Sequence, residues 1–76
     1  MNNGFVLRMS DHLAERVRRE VGADAAAAQV GRMYELAYGR SADPDESASG
    51  TAFVREHGLA ALARVVFNSN EFLYVD

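Results

Sequence analysis

The sequence has no cysteine, no lysine, no tryptophan, a single proline and only two histidines. Each absence removes a class of chemistry. Without cysteine there is no disulfide framework, thiolate zinc site, iron–sulfur cluster or covalently attached c-type haem, although this does not identify a redox compartment. Without lysine, all eight positive charges are arginine, and the net charge is −3. That mild acidic balance argues against sequence-independent binding to phosphate backbones. Long apolar runs are also missing. The opening MNNGFVLRMSDHLAERVRREV has no stretch suited to a signal peptide or a membrane span, so a secreted parent would carry its signal elsewhere. His12 and His57 have no HExxH-type spacing and no third ligand, and read as surface or helix-end residues. No catalytic residue, metal ligand or cofactor-binding residue is assigned.

What is present suits a small helical protein. Of the 76 residues, 49% are apolar, enough for one globular domain with a thin core. The expected fold is all-α: a bundle of three long helices and a shorter fourth, forming a single module over residues 1–76, with a helical corner at Gly39–Pro44. The corner is the most legible stretch. Met33, Tyr34 and Ala37 recur at the spacing of a helix face, with Leu36 and Tyr38 widening it. Gly39 follows, where a left-handed residue closes a helix, and Arg40 would meet the negative end of the helix dipole. In Asp43-Pro44-Asp45-Glu46, Asp43 is an N-cap and Pro44 occupies the first helical position, where its missing N–H costs nothing. Glu46 reaches back to the Asp43 N–H as in a capping box. The same acidic run could be taken for a calcium loop, but Pro44 and the immediate helix interrupt the required ligand alternation.

The remaining elements follow from periodicity. Asn3 is expected to cap a first helix running from Gly4 to about Val21, with a stripe of Phe5, Met9, Leu13, Val17 and Val21 and Val6 adjoining. Glu15–Arg19 would be an attractive four-residue pair. The cluster Arg16, Arg18 and Arg19 is flanked by Glu15 and Glu20 and reads as a solvated face rather than a phosphate site. Gly22 ends this helix. Asp24 would cap a second, which starts in the Ala25–Ala28 run and continues to Tyr38, with Gly31 marking a close approach of another backbone. The third helix, Pro44 to about His57, would bury Ala48, Ala52 and Phe53. Small residues at Ser47, Ala48 and Ala52 would admit a neighbouring helix. After a break at His57-Gly58, Leu59, Leu62, Val65 and Val66 form a fourth stripe, with Phe67 adjoining. Asn68, Ser69 and Asn70 weaken this helix. The closing Phe72-Leu73-Tyr74-Val75 is too apolar for a free tail. Phe72 and Tyr74 are expected to dock it near Phe5 and Tyr34, or onto upstream sequence. The aromatic residues read as core rather than a ligand box, and no serine has nucleophile-elbow context.

Three landmarks, MNNGFV, YELAYGRSADPDE and NSNEFLYVD, stand in one order along almost the whole chain. Together they resemble the planctomycete domain of unknown function numbered fifteen fifty-three. That domain ends large secreted proteins, which often also carry a planctomycete cytochrome-c-like domain. The resemblance implies that this chain is the C-terminal piece of a larger extracytoplasmic protein, with Met1 matching an internal methionine; it implies no reaction. The function expected is a non-catalytic structural or protein-interaction module. Its partner would be the upstream part of a parent protein, or a second copy meeting exposed apolar surface. Two alternatives belong to other classes: a small helix-turn-helix nucleic-acid binder, and a fragment of an enzyme whose active site lies upstream.

Overall fold

The computed structural model describes residues 3–69. Four helices follow one another: α1 (Asn3–Val21), α2 (Ala26–Tyr38), α3 (Pro44–His57) and α4 (Leu59–Phe67). The protein is all-α, as its periodicity predicts. α1 packs chiefly against α4 and α2 chiefly against α3, while α1–α2 and α3–α4 contacts close the arrangement. No helix among the described residues is long and apolar enough to cross a membrane. Asn3 falls within the first turn of α1 rather than before it. Phe72 and Tyr74 lie outside the described residues.

The core is built from Val6, Leu13, Ala14 and Val17 of α1, Val30, Met33 and Ala37 of α2, Val54 of α3, and Leu59, Leu62, Ala63, Val66 and Phe67 of α4. This corrects the first stripe. Leu13 and Val17 are buried, but Phe5 is exposed, and Met9 and Val21 are only half-buried. The reason is geometric. At 3.6 residues per turn, each four-residue step drifts about 40°, so a stripe from Phe5 to Val21 turns about 160° and cannot stay on one face. The buried face of α1 runs through Val6, Ser10, Leu13, Ala14 and Val17, and includes two small residues.

α3 needs a similar correction. Ala48 and Ala52 are exposed; the buried positions are Gly50 and Val54, with Phe53 and Ser47 half-buried. The close approach expected at Gly31 is not there, since a Cβ at that position would meet nothing within 4 Å. It lies instead at Gly50, where a Cβ would come 2.8 Å from Val30 Cγ1. In α4, Ala63 is buried and Val65 exposed.

The connections explain how short helices reverse. Gly39 sits in the left-handed region (φ 71°, ψ 21°), and its N–H donates to the Glu35 carbonyl, closing α2 as expected. Gly58 alone joins α3 to α4 with φ 93°, a conformation that a side chain would strain. Asp24 does not cap α2: the N-cap is Ala25, with no side-chain cap bond. The α1–α2 turn is held by the buried Gln29, whose amide donates to the Gly22 carbonyl at 2.7 Å.

Candidate functional site

Two places concentrate the side-chain chemistry, the α2–α3 corner and a groove between α1 and α4. In the corner, Asp43 has extended backbone angles and its Oδ1 accepts from the Glu46 N–H at 2.8 Å. Glu46 Oε1 accepts in return from the Asp43 N–H at 3.0 Å. The capping box is therefore complete, with Pro44 at the helix start. Arg40 adds what its expected dipole role did not include. Its guanidinium grips Glu46 with two parallel bonds, Nη1 to Oε1 at 2.7 Å and Nη2 to Oε2 at 2.9 Å. This fork geometry is the strongest form of an arginine–carboxylate pair. The same guanidinium lies 5.5 Å from the Tyr34 ring centroid and 5.4 Å from that of Tyr38, within cation–π range. The two rings meet edge to face at 5.0 Å. The Tyr38 hydroxyl donates to Ser69 Oγ at 3.0 Å, and that hydroxyl donates to the Val66 carbonyl at 2.8 Å. One chain of contacts thus fastens the end of α2 to the start of α3 and the end of α4.

Electrostatics follow this geometry. The Arg40 guanidinium, aided by the Asp43 N–H, lowers the Glu46 carboxyl from 4.5 to about 2. Burial, and secondarily the Glu46 charge, pushes the Tyr34 hydroxyl up. A second network ties α1 to α2: Glu20 accepts from Arg16 at 2.8 Å and from Arg32 at 2.6 Å, and Arg32 also reaches Glu35 at 3.1 Å. Arg16 and then Arg32 lower the Glu20 carboxyl, and Glu20 in turn raises Arg32. Glu15 pairs with Arg18 at 3.5 Å rather than with Arg19. The basic cluster of α1 is thus largely turned toward its flanking glutamates.

Asp43 and Glu46 of the corner are committed to holding the start of α3. His57 stacks on Phe53, with centroids 4.7 Å apart, and lies 3.8 Å from its neighbour Glu56. Among the described residues no three histidine or acidic groups gather as a metal site would require.

The groove was not foreseen from the sequence. It holds about 330 Å³ and is lined by Val6 and Leu7 of α1 with Arg64 and Asn68 at the end of α4. Phe5, Leu7 and Val65, on the same two helices, are 44%, 47% and 53% exposed. Arg64 Nε is shielded from solvent and has no hydrogen-bond acceptor among the described residues. The only forewarning was the apolar count of the first helix, which exceeds what one 100°-wide face can bury.

Two expected outcomes test the corner. Asp43→Ala should cost ~0.5–2 kcal/mol, the usual worth of an N-cap, and Asp43→Asn much less. Equal denaturation midpoints for all three proteins would remove the cap from the account. The second outcome concerns acid. Glu46 titrates lower in the folded chain than at its ordinary 4.5. Between those values the unfolded chain binds more protons, so stability falls as pH drops from about 4.5 toward 2. Glu20 is shifted the same way. Melting temperatures measured between pH 6 and pH 2 should therefore fall less steeply for Glu46→Gln than for the natural chain. Parallel acid limbs would show that Glu46 binds its proton equally in the folded and unfolded chains, and would remove the Arg40–Glu46 pair from the acid response.

Compared with protein-family models, curated proteins and solved structures, the chain matches none.

Proposed function

We propose that this chain is a non-catalytic packing and protein-interaction module that closes a larger extracytoplasmic protein. The observation that carries the reading is the outer face of α1 and α4. Leu7 lines an open groove between α1 and α4, and Phe5 and Val65 expose large apolar side chains on the same two helices; exposed apolar surface marks a contact site where it is contiguous. The polar groups support the same reading. Arg16, Arg18, Arg32 and Arg40 direct their charge at glutamates of the chain itself, and the corner carboxylates cap a helix. The terminal position within a parent protein rests on the resemblance of the three sequence landmarks.

Size-exclusion chromatography with light scattering, over a range of concentrations, tests the surface. The full chain should show weak, reversible mass growth, and Leu7→Ser/Val65→Ser should abolish it while leaving the helical signal unchanged. Identical monomers at every concentration would overturn the reading. The nucleic-acid alternative has its own assay. A labelled duplex followed by fluorescence anisotropy should give no saturable, salt-sensitive binding tighter than about micromolar. A steep salt slope would put that alternative first.

A further inference from the structure

We infer that α4 is an exchangeable element: when Gly58 straightens, α3 and α4 fuse into one helix over residues 44–67, and each of two copies lends its α4 to the α1 of the other. This is independent of the interaction reading, because the exchange uses the buried faces of α1 and α4 and not the exposed Leu7 and Val65.

Four observations carry it. The first is the hinge. One residue separates α3 from α4, and Gly58 holds φ 93° and ψ 159°, a region essentially confined to glycine. The second is the backbone. Helical bonds already reach Gly58 from both sides: its N–H donates to the Val54 carbonyl at 2.8 Å, and its carbonyl accepts from the Leu62 N–H at 3.3 Å. The N–H groups of Leu59, Ala60 and Ala61 stand ahead of that bond, where a helix has no partner of its own to offer, and α4 has no side-chain cap. A continuous helix would give them the carbonyls of Arg55, Glu56 and His57. No proline or β-branched residue stands between Arg55 and Leu62 to oppose it. The third is facing. On a straight helix the buried positions of α3 and those of α4 would lie roughly 170° apart, at about 100° per residue, so the chain's own core cannot take both. The fourth is reach. Such a helix is about 36 Å long, against 31 Å for the longest extent of the folded chain. α4 packs on α1 more than on α3, and its departure would bare Leu59, Leu62, Val66 and Phe67. The α1 face that matches them is then found on a second copy, and a reciprocal exchange about a two-fold axis closes the pair.

Gly58→Ala in the full chain tests the hinge. Alanine disfavours the positive φ of the closed form and favours the continuous helix, so the association constant read by light scattering should rise about tenfold or more over that of the natural chain. Gly31→Ala gains the same helix propensity in open space and should leave that constant unchanged. Exchange itself is read covalently, since the chain has no natural cysteine. Leu7 and Asn68 line one groove from α1 and α4; both are replaced by cysteine (L7C, N68C) and joined by a short thiol-to-thiol reagent. In the monomer the link should form within one chain. In the Gly58→Ala dimer, isolated by size-exclusion chromatography, it should join two chains. A Gly58→Ala protein that stays monomeric, or a dimer whose links all lie within single chains, would overturn the proposal. Should Gly58→Ala not fold, the natural chain refolded from urea at high concentration carries the test: a dimer linked between chains supports exchange, and its absence overturns it. Leu7→Ser/Val65→Ser separates the two readings. It should abolish association through the outer face yet leave the Gly58→Ala dimer intact; loss of that dimer would assign it to the outer face and end the exchange proposal.

Discussion

Leu13→Ala should leave a substantial fraction of the molecules unfolded at room temperature. Leu13 is fully buried and is among the largest side chains without solvent contact, on the α1 face that enters the core. Truncating a leucine in such a position removes its transfer free energy and leaves a cavity, together costing ~2–5 kcal/mol. A single core below about 80 residues rarely supplies more than ~3–5 kcal/mol in all. The two figures overlap, so one substitution approaches the whole stability of the domain. Phe5→Ala is the natural comparison. Phe5 belongs to the same four-residue stripe in the sequence, yet it is 44% exposed, and its loss should move the melt far less. Urea denaturation followed by the helical circular dichroism signal separates the two variants. Equal midpoints for Leu13→Ala and Phe5→Ala would mean that the α1 face has been assigned wrongly.

Gly50→Ala should destabilise the protein, and Gly31→Ala should stabilise it, although both glycines interrupt helices. At either site alanine gains ~1 kcal/mol of helix propensity. At Gly31 nothing opposes that gain, because the new methyl meets open space. At Gly50 the methyl would stand 2.8 Å from Val30 Cγ1 and 3.4 Å from Cγ2. Val30 is fully buried, and a β-branched side chain in a helix has essentially one rotamer. The clash must therefore be relieved by moving α3 away from α2. Overpacking of this kind costs ~1–3 kcal/mol, which exceeds the propensity gain over most of its range. A double-mutant cycle identifies the cause. Val30→Ala destabilises alone, but Gly50→Ala/Val30→Ala should be more stable than the sum of the two single changes, because the methyl then has room. Strict additivity would show that Gly50 is glycine for a reason other than Val30.

The proposed interaction surface and the corner have different standing in the sequence. The corner is written in local chemistry. Gly39, Asp43, Pro44 and Glu46 act on backbone groups within a few residues of themselves, and their roles follow from residue type and spacing. The Arg40–Glu46 fork spans six residues. It was not legible because it depends on the angle at which α3 leaves the turn, and on Tyr34 and Tyr38 offering their faces beneath the guanidinium. The groove was less legible still. It lies between residues of α1 and the end of α4, a juxtaposition that no periodicity in either helix records.

The sequence by itself therefore determined the number and order of helices, their breaks at Gly22, Gly39 and Gly58, the capping box, and the all-α class. All of these depend on interactions within one or two turns, where spacing and residue chemistry suffice. Periodicity also placed Met33 and Ala37 of α2 and Leu59, Leu62 and Val66 of α4 inside, whereas tertiary structure alone decided the inner faces of α1 and α3 in detail and one position of α4. Tertiary structure replaced Ala48 and Ala52 by Gly50 and Val54, exchanged Val65 for Ala63, turned Phe5 outward and drew Ser10 and Ala14 into the core. Small residues are ambiguous in a sequence, since alanine, serine and glycine suit a solvated face and a close helix contact equally well. Only the approach of a second helix, as at Gly50 against Val30, distinguishes the two.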